Sequence, residues 1–299
     1  MEKRRLGASE LLLSEIGLGC MSLPTNRVDA SYIVDTAIDA GINYFDTADL
    51  YQRGMNEETI GHLLKEKRKD ILLATKVGNV WNASSDSWHF DASAQHIKKA
   101  VRESLSRLQT DYIDLYQLHG GTLGENWEEI IDTFNELKQE GIIREYGISS
   151  IRPNVFIPFL KESKAVSIMM QYSLLDRRPE EWFDSIKELD ASVVTRGSLA
   201  KGLLTDDWKN RVQKTNGYLT YSQEELQATL TNLANAATSV HVTALQSVLQ
   251  HKEIASAIIG ASTREQIAAT IQAYNQIDHS NDSNLVELTK VDQYTEHRL

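Results

Sequence analysis

The sequence places four side chains capable of acid–base chemistry at or just after apolar runs of β-strand character. Asp46 and Tyr51 occur in "NYFDTADLY", Lys76 in "ATKV" and His119 in "LYQLH". A tyrosine can protonate a carbonyl oxygen as it becomes an alkoxide, but a phenol with an ordinary pKa of about 10 is a slow acid near neutral pH. A neighbouring ammonium favours the phenolate, and a carboxylate compensates for burial of that ammonium. A histidine N–H can hydrogen-bond the same carbonyl oxygen, so the set fits proton transfer to a carbonyl group.

Each of these residues also has an ordinary structural explanation. Asp46 could cap a turn, Lys76 could end an exposed strand, and His119 could be a hydrogen-bonded core histidine. Ser149 in "GISS" and Gln171 in "MMQYS" likewise close apolar runs, and they could be a helix cap and a polar rim residue. Their functional weight therefore depends on whether the fold brings the ends of these runs together.

Apolar runs without polar alternation recur along the chain and predict strands that are buried on both faces. We predict strands over 15–19, 43–47, 71–77, 112–119, 145–150, 167–173, 191–197 and 256–261. Amphipathic stretches predict helices over about 28–40, 56–67, 93–108, 127–140, 153–162, 179–189, 239–250 and 263–276. Long connections follow the third strand and the seventh strand, the latter over 202–222. This alternation indicates a parallel sheet with helices on its faces.

Two α/β folds satisfy the alternation. A doubly wound sheet that binds a nucleotide would carry Gly-x-Gly-x-x-Gly at the start of its first helix. The chain instead has "GLGCMS", with Ser22 at the third glycine position and Pro24 soon after it. We therefore predict a single (β/α)8 TIM barrel over residues 1–299, with an N-terminal β-hairpin in "KRRLGASELLLS" that caps the barrel bottom and with long βα loops. Active sites of this architecture lie at the C-terminal ends of the strands, where the polar residues above are expected.

The composition limits the partners of the protein. The 299 residues are 41% hydrophobic and 24% charged, with a net charge of −11 and no dense basic block beyond "KEKRKD". This argues against a nucleic-acid or anionic-membrane surface, because both need clustered positive charge. We expect no signal peptide or membrane span and a cytoplasmic location. The single cysteine, Cys20, excludes an internal disulfide, and the lack of His-x-His on an early strand argues against a metal site.

Taken together, these segments resemble the aldo-keto reductase family. Asp46, Tyr51, Lys76 and His119 are similar, in chain order and local motif, to the catalytic tetrad of that family. "LGASELLLSEIGLGCM", "EYGISS", "SLAKGLL" and "IIGASTREQI" are similar to its opening, fifth-strand, seventh-strand and eighth-unit segments. The resemblance implies NAD(P)H-dependent reduction of aldehydes and ketones to alcohols. Tyr51 would be the general acid, Lys76 and Asp46 would tune it, and His119 would orient the carbonyl.

The same resemblance implies where the coenzyme binds. Ser149, Ser150 and Gln171 would hold the nicotinamide carboxamide, and the backbone around Leu199 and Gly202 would hold the pyrophosphate. The full set of implied coenzyme contacts is Gly19, Cys20, Met21, Asp46, Ser149, Ser150, Gln171, Arg196, Gly197, Leu199, Gly202, Gly260, Ser262, Arg264 and Gln266.

The sequence departs from the family pattern at two coenzyme positions. Arg196 stands where members often carry an aromatic ring that stacks on the nicotinamide, although a planar guanidinium can also lie against a ring. Ser262 stands where many members carry an arginine for the adenosine 2′-phosphate. Thr263 and Gln266 have the spacing of a capping box, and a helix N-terminus favours phosphate. Arg264 in that first turn could grip the 2′-phosphate, so we predict that NADP(H) is preferred over NAD(H).

Two other functions stay open at this point. The barrel could bind coenzyme as a redox-sensing or regulatory subunit with little turnover, although an intact acid argues against this. A metal-dependent hydrolase would need ligands that the sequence does not supply. We expect the partner to be a small-molecule carbonyl substrate of unspecified identity. Tyr51 and His119 would contact it, and Trp81 and Trp88 would contact it as the walls of an apolar pocket. The sequence does not specify an oligomeric state.

Overall fold

Eight parallel strands close into a barrel in which each strand pairs with the next along the chain. The structure, a computed structural model, describes residues 1–82, 84–278 and 285–299. The barrel strands are Ile16–Gly19, Tyr44–Asp46, Leu72–Val77, Ile113–His119, Ile143–Ser149, Ser167–Gln171, Ser192–Arg196 and Ile254–Gly260. The eighth strand closes the barrel by pairing with the first, Ala257 opposite Ile16. The prediction of a (β/α)8 barrel is confirmed.

A helix follows each barrel strand on the outside of the sheet. These helices are Arg27–Asp39, Met55–Leu64, Ala94–Leu108, Trp127–Gln139, Pro153–Glu162, Phe183–Glu188, Val240–Leu249 and Arg264–Tyr274. The sixth is shorter than the sequence predicts because the chain around Pro179 forms a 3-10 turn, Arg178–Trp182, before it. None of the described helices is long and apolar enough to cross a membrane.

An N-terminal hairpin plugs the bottom of the barrel. Lys3–Arg5 pairs with Leu12–Ser14 in antiparallel fashion. Leu6 and Leu13 from this hairpin are fully buried among residues of the barrel interior. The plug is consistent with the predicted hairpin cap, and it leaves the C-terminal ends of the strands to form the open face.

A buried carboxylate fastens this plug to both ends of the barrel sequence. Glu15 precedes the first barrel strand and is 2% exposed. Its two oxygens accept from Arg4 Nε at 2.7 Å and from the Tyr274 hydroxyl at 2.8 Å. Arg4 also donates to the carbonyl of Ile254, at the start of the eighth strand, at 2.9 Å. The hairpin, the first strand, the last strand and the last helix therefore meet at one charged group.

The long connection after the seventh strand contains structure that the sequence analysis missed. It includes the short helix Trp208–Val212, a hairpin of Gly217–Tyr218 with Tyr221–Ser222, and the helix Gln223–Ala236. Leucines on the last of these helices pack with Leu203, Leu204 and Trp208 in a second apolar cluster. The helix begins with a capping box between Ser222 and Glu225, a Ser-x-x-Glu spacing that was available in the sequence.

Candidate active site

A buried ion pair between Asp46 and Lys76 lies beneath the open face of the barrel. Lys76 Nζ donates to Asp46 Oδ2 at 2.6 Å and to the carbonyl of Thr47 at 2.7 Å, and the lysine side chain is only 1% exposed. Gln117 Nε2 donates to the second oxygen of Asp46 at 3.3 Å. Burial lowers the pKa of Lys76, but the charge of Asp46, its hydrogen bond and the phenol of Tyr51 together raise it above the ordinary value. The lysine is therefore a charged ammonium.

Strand register explains why this pair forms. Asp46 on the second strand lies opposite Ala74 on the third. Side chains alternate along a strand, so Lys76, two residues beyond Ala74, projects to the same face as Ala74 and therefore as Asp46. Each charge compensates for the desolvation of the other, so the pair costs less free energy than either charge would if it were buried alone.

Tyr51 is carried by a strained turn directly after this pair. The 3-10 turn Tyr51–Gly54 holds Gln52 at φ 52° and Arg53 at φ 55°, and Gly54 continues the left-handed backbone at φ 89°. Non-glycine residues in this region each cost about 1–3 kcal/mol and persist where the surrounding structure imposes them, often at functional sites. The turn brings the Tyr51 ring centroid to 5.2 Å from Lys76 Nζ.

His119 completes the group at the end of the fourth strand. Its ring stands edge-on to Tyr51 with centroids 6.1 Å apart, and its carbonyl accepts from Asn79 Nδ2 at 2.8 Å. Burial, then the positive charges of Lys76 and Arg196, lower the pKa of His119 to about 3. Its Nδ1 is buried and has no hydrogen-bond partner in the described parts of the chain. The imidazole is therefore neutral at physiological pH and keeps an N–H that can donate to a bound carbonyl.

A cleft of about 1240 Å³ opens above the ion pair. It runs over the C-terminal ends of the strands and along the last helix of the barrel. The predicted site residues that line it are Gly19, Met21, Asp46, Tyr51, Lys76, His119, Ser149, Ser150, Arg196, Gly197, Leu199, Gly202, Gly260, Ser262 and Gln266. The fold thus gathers most of the predicted set at one mouth.

Two of the remaining predicted residues, Cys20 and Gln171, are not among the residues that line the cleft. Cys20 is fully buried, and its carbonyl accepts from Asn56 Nδ2 at 2.9 Å. The Gln171 side chain lies below Gly197, and its Nε2 donates to Asp176 Oδ2 at 2.8 Å. Gln171 therefore supports the seventh-strand loop from behind, and its contact with a coenzyme stays a prediction.

Arg264 points to the outer surface of the barrel. Its Nε donates to Asp29 Oδ1 at 2.9 Å, and its guanidinium lies 4.3 Å from the centroid of the Tyr32 ring. Both contacts are on the first helix, since that helix neighbours the last one around the closed barrel. Thr263 caps the last helix as expected, whereas the Gln266 side chain accepts from Ser262 rather than from the Thr263 backbone.

The tryptophans belong to a small hairpin after the third strand, Asn79–Trp81 with Trp88–Phe90. Trp81 Nε1 donates to the carbonyl of Leu50 at 2.9 Å and packs edge-on against Trp88, with centroids 5.5 Å apart. Asn79, Phe90 and Leu50 line the cleft, so the tryptophans buttress a wall made by residues that the sequence analysis did not single out. Direct contact of Trp81 or Trp88 with substrate stays a prediction.

The loop after the seventh strand has the features of an anion cradle. Gly197, Ala200, Lys201 and Gly202 all have positive φ, at 70°, 46°, 57° and 88°. Three of these residues follow one another, so the loop is not an alternating left- and right-handed nest. The N–H groups of Ala200 and Gly202 donate to the carbonyls of Gly197 and Leu199, so an anion would be held by the other N–H groups of the loop. Lys201 and Arg211 also line the cleft here. Arg211 is paired with Asp207 at 3.2 Å, so the added positive charge comes mainly from Lys201. These residues fit the pyrophosphate of a dinucleotide. Within the described ranges, no group of three His, Cys, Asp or Glu could hold a metal ion.

Comparison with known proteins decides the family. The model of the aldo/keto reductase family matches residues 15–290. The chain belongs to this family. The barrel and the oxidoreductase class follow from that membership together with the structural likeness described next.

Three similar proteins illustrate the relationship. The chain is 52% identical over 305 residues to the uncharacterized oxidoreductase YqkF of Bacillus subtilis (strain 168), with 100% of both chains covered. It superposes on the holo form of aldo-keto reductase AKR11C1 from Bacillus halodurans with a TM-score of 0.94 at 49% identity, again over 100% of both chains. It is 28% identical to the NADH-specific methylglyoxal reductase of Escherichia coli (strain K12), covering 92% of this chain and 94% of that one.

Removing one partner of the ion pair should destabilise the barrel. In Lys76→Met, Asp46 is left buried without its cation, so we expect the free energy of unfolding at neutral pH to fall by about 3–5 kcal/mol. The double variant Asp46→Asn/Lys76→Met should recover part of that loss because no isolated charge stays buried. Denaturant unfolding of Lys76→Met, Asp46→Asn and the double variant measures both effects. A double variant that loses at least as much free energy of unfolding as the two single variants together would contradict a paired-charge role.

The neutral His119 predicts a specific acid sensitivity. The pKa is about 3 in the folded state against an ordinary 6.5, so the unfolded chain binds more protons between these values and stability falls as pH drops. Between pH 7 and pH 5 the loss from this one group is about 2 kcal/mol. His119→Asn should lose that much less over the same interval, whereas His62→Gln, a change at an exposed helix position, should behave as wild type. An unchanged pH dependence in His119→Asn would refute the assignment.

Proposed function

We propose that this aldo-keto reductase uses NAD(P)H to reduce aldehyde or ketone carbonyls to alcohols, with Tyr51 as the general acid. One observation carries the proposal. The phenol of Tyr51 and a neutral imidazole, His119, both line a cleft directly above a buried ammonium. That combination provides a proton donor, a hydrogen-bond donor and a fixed positive charge around one small volume.

Each group has a separate task in the proton transfer. Tyr51 Oη donates its proton to the carbonyl oxygen as that oxygen gains charge. The ammonium of Lys76 stabilises the phenolate left on Tyr51, and Asp46 holds the ammonium in place. The N–H of neutral His119 orients the carbonyl oxygen and supports the developing charge. Because the donors are fixed before the substrate binds, they need little reorganisation during the reaction.

The coenzyme would supply the hydride when bound. The cradle at Gly197–Gly202, with Lys201 and Arg211, is suited to its pyrophosphate. Ser149 and Ser150, at the end of the fifth strand, would hold the nicotinamide carboxamide. The backbone of Gly19 and Gly260 borders the cleft. A Cβ at Gly19 would clash with Ile258 and one at Gly260 with Ser22, so the two glycines allow close packing at these strand ends.

We further propose that NADPH is preferred over NADH. The last helix begins beside the cleft, and its free N–H groups and positive end favour a phosphate. Arg264 stands in its first turn and is held by Asp29, but the two side chains are 43% and 40% exposed. Such exposed pairs contribute about 0–1 kcal/mol, so a 2′-phosphate can displace Asp29. Since one relative is named NADH-specific, this preference must come from local residues rather than from family membership.

Removing the acid should abolish chemistry without abolishing binding. We expect Tyr51→Phe to lower the carbonyl reduction rate by ~10²–10⁴-fold, while the dissociation constant for NADPH changes little because the ring is kept. Coenzyme absorbance at 340 nm with a reactive aldehyde follows the rate, and fluorescence titration follows binding. Tyr112→Phe, at the opposite end of the barrel, serves as the matched control and should keep wild-type activity. A Tyr51→Phe rate within a few-fold of wild type would mean that another group is the acid.

Coenzyme preference should depend on the Arg264–Asp29 pair. A charge-assisted contact contributes about 1.5–3 kcal/mol, so Arg264→Ala should weaken NADPH binding by roughly ten- to a hundredfold and leave NADH binding unchanged. Asp29→Asn removes the competing carboxylate and should strengthen NADPH binding alone. Titration of both coenzymes against the three proteins measures this. Equal affinities in wild type, or an equal loss for both coenzymes in Arg264→Ala, would exclude Arg264 as the phosphate contact.

A further inference from the structure

Arg196 places a positive charge at the edge of the cleft. It ends the seventh barrel strand, opposite Gln171 on the sixth and Ile258 on the eighth. Its Nη1 donates to Gln171 Oε1 at 3.1 Å, and Gln171 is itself anchored to Asp176. Arg196 is exposed, and this hydrogen bond places its guanidinium beside the end of the sixth strand.

The charge of Arg196 is not cancelled nearby. Lys76 is neutralised by Asp46, and Asp176 is neutralised by a two-bond contact with Arg178 at 2.7 Å for each bond. In the described residues, Arg196 forms no ion pair with a carboxylate, and its partner Gln171 is neutral. The positive charge also reaches the chemistry. After burial and Lys76, it helps to lower the pKa of His119, and it opposes the rise that burial causes in the pKa of Asp46.

The two redox forms of a nicotinamide coenzyme differ in the charge of the ring. The reduced ring is neutral, and loss of a hydride leaves a pyridinium with one positive charge. If the proposed function is right, this ring must lie in contact with the carbonyl carbon whose oxygen meets Tyr51 and His119. That places it on the floor of the cleft, within reach of the charge on Arg196. The phosphates are the same in both forms, so their contacts cancel in a comparison.

We propose that Arg196 selects the redox state of the coenzyme, so that the site binds the reduced form more tightly than the oxidised form. This inference rests on the proposed function and extends it to the working direction of the enzyme. The overall equilibrium is set by the reactants and does not change. Inhibition by the oxidised coenzyme is weakened, because a cationic site binds the positively charged ring less tightly. The enzyme is therefore suited to carbonyl reduction when oxidised coenzyme is abundant.

The experiment measures dissociation constants of NADPH and NADP⁺ for the full chain by fluorescence titration, without substrate. Two unit charges roughly 6 Å apart at a partly solvated site change a dissociation constant by about tenfold. We expect the ratio Kd(NADP⁺)/Kd(NADPH) to fall by about that factor in Arg196→Gln and to be retained in Arg196→Lys, which keeps the charge. Arg196→Tyr should lower it further, since an aromatic face attracts a pyridinium. Higher salt should reduce the wild-type ratio.

A second cation of the cleft provides the control. Lys201→Gln, in the anion cradle, should weaken both redox forms by the same factor and leave the ratio unchanged. An unchanged ratio in Arg196→Gln, with both forms still bound, would overturn the selection and leave the proposed function intact. Failure of wild type to bind either form would instead refute the proposed function itself.

Discussion

The ion pair between Asp46 and Lys76 is the interaction on which the rest of the site depends. A buried ammonium without a partner would lose its proton or unfold its surroundings. The ammonium of Lys76 is surrounded by Asp46, the carbonyl of Thr47 and the ring of Tyr51. The barrel supplies this geometry because Asp46 and Lys76 lie on two adjacent parallel strands whose register is fixed. The cleft, the neutral imidazole of His119 and the phenol of Tyr51 all surround the ammonium of Lys76, which Asp46 holds in one place.

The strained turn that carries Tyr51 is held by a second buried carboxylate. Glu57, on the helix that follows the turn, accepts from Thr75 Oγ1 at 2.6 Å and from Arg107 Nε at 2.7 Å. These contacts join the helix to the third strand and to the third helix, and Glu57 itself is fully buried. The energy stored at Gln52 and Arg53 is thereby offset by contacts outside the active site. Tyr51 is positioned by the packing of the barrel wall rather than by its own loop.

Strand-end residues were predictable from the sequence because the barrel gives them a common geometry. With "ATKV" and "LYQLH" as adjacent parallel strands, the observed register, Lys76 opposite Gln117, puts Lys76 and His119 on the same face. Side chains beyond the strand ends follow no such rule. Arg264 is one residue past its cap and turns to Asp29 on a helix far away in sequence, and Phe90 reaches the cleft through a hairpin whose course depends on tertiary packing. The helix Gln223–Ala236 was signalled by its capping box, but its apolar face packs in a cluster that joins the inserted segment to Leu174, Leu175 and the seventh barrel helix.

The meeting of four elements at Glu15 has a consequence for the order of folding. The carboxylate is synthesised early, yet its Tyr274 partner and the carbonyl that anchors Arg4 come from the last barrel strand and helix. During synthesis on the ribosome, Glu15 can pair early with Arg4 of its own hairpin. Its bond to Tyr274 and the pairing of the first strand with the eighth must wait until nearly the whole chain has emerged. Closure of the barrel and burial of this charge are one late event, spanning a very large sequence separation, and such non-local closure slows folding. A chain that lacks the eighth strand cannot close the barrel against its first strand.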